Sequence, residues 1–250
     1  WISDPLIDEN EINERLEAVE ELKDDIILRG ELLDKLKGVY DMERLAGKIA
    51  YGNVNARELN SLKASSGKLP EIKKMIRDSK SKMLRRLYED LDSLDDIYEL
   101  IDKAIVEDPP ILITEGGVIK MGFNSEIDEL KTAMTQGKTW LVQLEARERE
   151  ETGIKGLKVG YNKVFGYYLE VTKSYLSMVP DRYIRKQTLT GAERYITDEL
   201  KDLESKVLGA EERVVGLEYQ AFVQIREQIK SQIQRVQKSA FAISKLDVLC

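Results

Sequence analysis

A mainly α-helical fold with one small antiparallel β insertion is what this sequence predicts, and three observations carry that expectation. Apolar residues recur at three- and four-residue steps through most of the chain, the spacing that gathers them on one side of a helix. Between Gly153 and Thr197 that period gives way to alternation of aromatic or aliphatic residues with polar ones, as a half-buried strand requires. The same stretch reverses the charge, with eight Lys and Arg against three Asp and Glu inside a chain of net −7.

The first 110 residues divide into short helices. Asn10 precedes Ile12, Leu16, Val19 and Leu22, which share one face, and Asp25 to Val39 repeats the pattern with Ile26, Leu32, Leu33 and Leu36. Asp41 opens a helix carrying Met42, Leu45 and Ile49, closed by Gly52-Asn53. Asn55 caps the next, Pro70 sits in a first helical turn, and Met83 to Ile105 gives one further amphipathic stretch before Glu107-Asp108-Pro109-Pro110 stops it. Residues 111–123, with Glu115-Gly116-Gly117 at the centre, read as a small hairpin.

Ser125 then caps a long helix reaching about Thr152, in which Ile127, Met134 and Leu141 fall seven apart. A second long helix runs from Asp198 to about Gln237, with Leu200, Val207, Val214 and Ala221 in the same seven-residue series. Two such seams zip together antiparallel, with whatever joins the helices at their tip. The joining segment holds Leu157, Val159 and Tyr161, then Tyr167, Leu169 and Val171, around the turn Asn162-Lys163-Val164-Phe165-Gly166. Tyr183 to Leu189 supplies a third strand, and Thr190-Gly191 turns the chain toward Ala192 and the second long helix. The expected organisation is a helical core and lever over 1–152, an inserted clamp over 153–197 and a returning helix over 198–250.

Composition narrows the chemistry. A chain of 250 residues that is 42% hydrophobic has enough apolar matter for a real core. Histidine is absent and Cys250 is the sole cysteine, so the commonest general base, an internal disulfide and a multi-cysteine zinc site are all missing. Neither catalytic nor metal-ligating residues are expected. No apolar run is long enough to cross a bilayer and no leader pattern precedes the first helix. The chain opens at Trp1 and stops at Cys250 just after Ile243, Leu246, Val248 and Leu249, which reads as a segment of a longer protein.

The cationic insertion suits phosphate oxygens. Lys163 at one turn and Lys186, Thr188 and Thr190 near another are expected to converge on one exposed edge, where Gly166 and Gly191 open the backbone to an anion. No helix arrays Asn, Gln and Arg for reading base edges.

Several segments resemble the central region of the MutS family of DNA mismatch repair proteins. They are Trp1 with Pro5-Leu6-Ile7-Asp8, Ile12-Asn13-Glu14-Arg15-Leu16, Asp41-Met42-Glu43-Arg44-Leu45, Thr152 to Asn162, Gly166-Tyr167-Tyr168, Tyr183 to Leu189, Ala192-Glu193-Arg194-Tyr195 and Leu246 to Leu249. The resemblance implies that the long helices are a lever and the insertion a clamp closing on the backbone of double-stranded DNA. It makes Asn162, Lys163, Val164, Phe165, Lys186, Gln187, Thr188, Thr190 and Gly191 the DNA-facing positions. It also puts the mismatch-reading domain upstream of Trp1 and the ATPase domain downstream of Cys250, so that ATP and Mg belong to the full-length protein and this segment is not itself an enzyme. A homodimer, a MutL-type partner and a bacterial, cytoplasmic, nucleoid-associated location follow from the same resemblance. The alternative reading is a structural coiled-coil spacer whose basic tip binds a protein.

Overall fold

Carboxylate and amide caps set most helix starts in the first half of the chain. The computed structural model describes residues 5–250; Trp1, which carries part of the resemblance, lies outside them. The helices are α1 (Glu9–Asp24), α2 (Ile26–Leu36), α3 (Met42–Tyr51), α4 (Ala56–Ser66), α5 (Leu69–Met75), α6 (Lys82–Asp90) and α7 (Asp95–Ala104). Asp8, Asp25, Asp41 and Asn55 each accept a first-turn amide, a cap worth about 1 kcal/mol. Asp8, rather than the expected Asn10, caps α1, and Asn124, rather than Ser125, caps α8 (Ser125–Thr152). In both cases the chain enters the helix earlier than the apolar pattern does.

The chain up to Phe123 and Glu218–Cys250 form one compact unit; Asn124–Leu217 form another. In the first unit, α10 (Ile233–Leu249) packs on α3 and α6, and α4 packs on α7. Leu45, Ile49, Leu59, Leu62 and Phe222 are fully buried there. Of the expected face Ile12, Leu16, Val19 and Leu22, only Leu22 is buried, together with Ala18, while Ile12, Leu16 and Val19 are exposed.

Three further expectations are corrected in this unit. The stretch from Met83 to Ile105 is two helices, because the Asp92 carboxylate accepts the Leu94 amide at 2.9 Å and turns the chain, leaving Leu94 at φ 55°. Residues 111–123 form no hairpin: they hold a 3-10 turn, Ile113–Glu115, and one isolated bridge, Ile105 to Ile119. The amides of Gly117, Val118 and Ile119 instead donate to the fully buried Glu218 carboxylate, at 2.5, 3.3 and 3.4 Å, so three successive amides are taken by a side chain rather than by a pairing strand. The second long helix, α9, spans Asp198–Lys230 and does not run on to Gln237. It breaks at Ser231-Gln232, where the Ser231 hydroxyl donates to the Gln228 carbonyl at 2.7 Å.

In the second unit α8 and the Asp198–Leu217 part of α9 lie antiparallel. Glu126 meets Arg213, Gly137 meets Val207 and Arg147 meets Glu199, in that order along the pair. A Cβ at Gly137 would stand 2.5 Å from a Val207 methyl, so glycine there permits the approach. Leu200, Val207 and Val214 are buried, as their seven-residue spacing predicts.

The chain between these helices folds into β1 (Lys158–Asn162), β2 (Gly166–Thr172), β3 (Ile184–Thr188) and β4 (Ala192–Ile196), ordered β1-β2-β4-β3 and antiparallel throughout. The fourth strand is a further correction: Ala192 does not lead straight into a helix but starts a central strand. Leu169, Val171 and Tyr195 project from one face of the sheet into a core with Leu141, Leu144, Leu157 and Leu200.

Candidate functional site

The antiparallel register decides which basic residues can act together. Asn162 pairs with Gly166 at one end of β2, and Thr172 pairs with Ala192 at the other. Those ends lie about 20 Å apart for a strand of this length. Lys163 therefore stands at one end of the sheet and the Thr188–Gly191 turn at the other, and the expected convergence on one edge does not occur.

At the second end the structure gathers more cationic residues than the sequence suggested. The Lys173 amide donates to the Gly191 carbonyl at 3.1 Å, Lys158 begins β1 there, and Gly156 approaches the Thr172 hydroxyl, bringing Lys155 to the same end. Thr188 closes β3, Leu189 donates to the Ala192 carbonyl at 2.8 Å, and Thr190 and Gly191 are exposed in the tight turn between them. Lys155, Lys158 and Lys173 enter the sequence reading only through the charge count; the cross-strand register brings them to the same end of the sheet as Thr190.

Lys186 sits one step back on the edge strand as a bulge. Arg185 pairs with Tyr195 and Gln187 with Arg194, so Lys186 is the extra residue on its strand. The bulge turns Gln187 onto the outer face, where its carbonyl oxygen accepts from Arg194 at 3.0 Å. Gln187, expected to face DNA, is thus engaged within the sheet.

The other end is different in kind. The Asn162 carboxamide accepts the Val164 amide at 2.8 Å, Gly166 adopts φ 75°, and the Glu204 carboxylate accepts the Tyr167 amide at 3.2 Å. Val164 is 80% exposed and Phe165 49% exposed at the tip, with Lys163 as the single cation of the turn.

Arginines and lysines of the insertion divide by partner. Arg182 pairs with Glu148 and Glu151, Arg185 with Glu193 and Arg194 with Glu170. Among the described residues no carboxylate lies within ion-pair distance of Lys155, Lys158, Lys163, Lys173 or Lys186, all of them exposed. The arginines bind the sheet to itself and to α8, and the lysines keep their charge available. Buried phenols complete the frame: Tyr183 donates to Glu148 at 2.7 Å and Tyr195 to Glu193 at 2.6 Å. Burial, with the neighbouring carboxylate second, pushes the Tyr195 phenol up to about 12 and the Tyr183 phenol upward as well.

No group of His, Cys, Asp and Glu able to hold a metal ion occurs among the described residues, and no helix there is long and apolar enough to cross a membrane.

Fold and site together define a helical protein carrying an inserted cationic β sheet. A family model described as MutS domain III matches residues 1–250, and the chain belongs to that family. It is 54% identical over 250 residues to the DNA mismatch repair protein MutS of Acetivibrio thermocellus, covering all of this chain and 29% of the relative. The protein of the same name from Clostridium kluyveri is 54% identical over 250 residues, again 29% of its length. That from Halothermothrix orenii is 53% identical over 249 residues, 28% of its length. The chain thus spans less than a third of the curated relatives it matches.

Proposed function

We propose that this chain is the lever and clamp portion of a DNA mismatch repair protein, clasping the sugar-phosphate backbone of duplex DNA without reading its sequence. The observation that carries the reading is the split between matched arginines and unmatched lysines. Lys155, Lys158, Lys173 and Lys186 are exposed without an acid partner toward the end of the sheet that also presents the Thr188 and Thr190 hydroxyls and the Gly191 backbone. Ammonium groups with hydroxyl and amide donors around them suit phosphate contacts, which position a protein on DNA and carry no base information. Asn162, Lys163, Val164 and Phe165 would make a separate, weaker contact.

The paired helices α8 and α9 would carry motion between this grip and a nucleotide-hydrolysing domain elsewhere in the longer protein, where ATP and Mg would bind. Homodimerisation, a MutL-type partner and residence in the bacterial cytoplasm at the nucleoid belong to the same reading. The spacer alternative keeps one observation in its favour: the exposed Val164-Phe165 tip is apolar, as a protein contact would be.

Salt titration of duplex binding by the full-length protein separates the two. Replacing Lys173 or Lys186 with glutamine should each reduce the slope of log affinity against log salt by about 0.9, equally on matched and mismatched duplexes. An unchanged slope for both would favour the spacer.

A further inference from the structure

The outer face of the sheet carries a cluster that touches all four strands. The Tyr168 ring on β2 lies across Gly160 on β1 so closely that a Cβ there would meet ring atoms at 2.6 Å. The Arg194 guanidinium, from β4, stacks 4.1 Å from the centroid of that ring. Its Nε donates to Glu170 on β2 at 2.9 Å, and one Nη donates to Gln187 on β3 at 3.0 Å. Each member needs the others. Glycine at 160 admits the ring, the ring supports the guanidinium, and the guanidinium holds β3 through Gln187.

That last bond exists only because of the bulge at Lys186. Successive side chains of a strand alternate between faces, so a regular β3 would turn Gln187 inward, away from Arg194. The Arg194–Gln187 bond therefore selects the bulged register of an edge strand that is held on one side alone. A slip of one residue would invert every side chain on that strand and shift the Thr188–Gly191 turn relative to Lys173.

We infer that Arg194 is a positioning residue of the backbone grip: it holds the Lys186 bulge and the Thr188–Gly191 turn in register from the outer face, without itself contacting phosphate. Its charge is matched by Glu170 and its fork is used by Gln187 and Glu170. Gln187 belongs to the same device. This inference rests on the proposed DNA-backbone reading and assigns a role that the resemblance does not.

The test measures duplex affinity and its salt slope for the full-length protein carrying Arg194→Met, Gly160→Ala, Tyr168→Phe or, as the reference for a true phosphate contact, Lys186→Gln. Arg194→Met and Gly160→Ala should each weaken binding about 5- to 20-fold with the slope within about 0.3 of the parent, since phosphates neutralised by lysine remain so once bound. Tyr168→Phe, which keeps the ring, should bind like the parent. Lys186→Gln should lower the slope by about 0.9. Amide hydrogen exchange at Arg185 to Thr188 should quicken in Arg194→Met and Gly160→Ala while the α8 amides stay protected, which separates a local slip from unfolding. If Arg194→Met lowers the slope by as much as Lys186→Gln, Arg194 contacts phosphate and the inference fails. It fails also if Arg194→Met and Gly160→Ala leave affinity unchanged while Lys186→Gln weakens binding. Unchanged affinity and slope in all four variants would instead overturn the DNA-backbone reading beneath it.

Discussion

The two ends of the β sheet share strands, length and sequence style, yet they differ in what they offer. One end holds Lys155, Lys158, Lys173 and the exposed Thr188–Gly191 turn; the other presents Val164 and Phe165 with Lys163 alone. The difference comes from topology: in the order β1-β2-β4-β3 the connection from β2 to β3 runs back along the sheet, so the β3–β4 turn falls at the end opposite the β1–β2 turn. A count of net charge over a segment therefore says that a cationic surface exists, while topology says where it is.

The largest effect that would sharpen this contrast comes from reversing charge at the lysine-rich end. The double substitution Lys173→Glu and Lys186→Glu should weaken duplex binding about 100-fold at physiological salt, measured by fluorescence anisotropy. An equal loss from Lys163→Glu would erase the distinction. The next effect is on stability. Gly166 has φ 75° and a Cβ there would overlap the Glu204 carboxylate, so Gly166→Ala should cost about 1–3 kcal/mol, read from thermal unfolding. The same change at Gly191, where a Cβ meets nothing within 4 Å, should cost much less.

Both ends hang on one frame, and an alkaline titration tests it. Tyrosine ionises near about 10 in an unfolded chain, whereas the Tyr195 phenol is held up to about 12. Its folded form keeps the proton longer, so its contribution is complete below about pH 10 and is lost as pH rises toward about 12. Chemical denaturation across that range should show falling stability, less steeply in Tyr195→Phe. The smallest effect belongs to the apolar tip: Lys163→Gln should change duplex affinity by less than about threefold, and a larger change would make the two ends equivalent partners.

Much of the helical fold was legible because three- and four-residue spacing survives in every context, and Asp41, Gly52 and Asn55 mark their helix boundaries by local chemistry. Strand β4 was not. Ala192, Glu193, Tyr195 and Ile196 are all buried, so a strand in the middle of the sheet shows no alternation to read. The bulge at Lys186 was hidden for a related reason, since one extra residue leaves no compositional mark and yet flips Gln187 to the other face. The hairpin expected over 111–123 failed on a partner a hundred residues away, the Glu218 carboxylate. The division of arginines from lysines was likewise out of reach, because their acid partners lie on neighbouring strands and on α8.

The Glu218 contact also bears on how the protein is made. Gly117 to Ile119 wait for a carboxylate that leaves the ribosome only after the whole of Asn124–Leu217, and the faces of α3 and α6 wait longer still for α10. At ordinary elongation rates that is a delay on the order of 5–20 seconds. During it the early helices have no partner for their apolar sides, because the inserted unit is synthesised in full before the unit that brackets it can close.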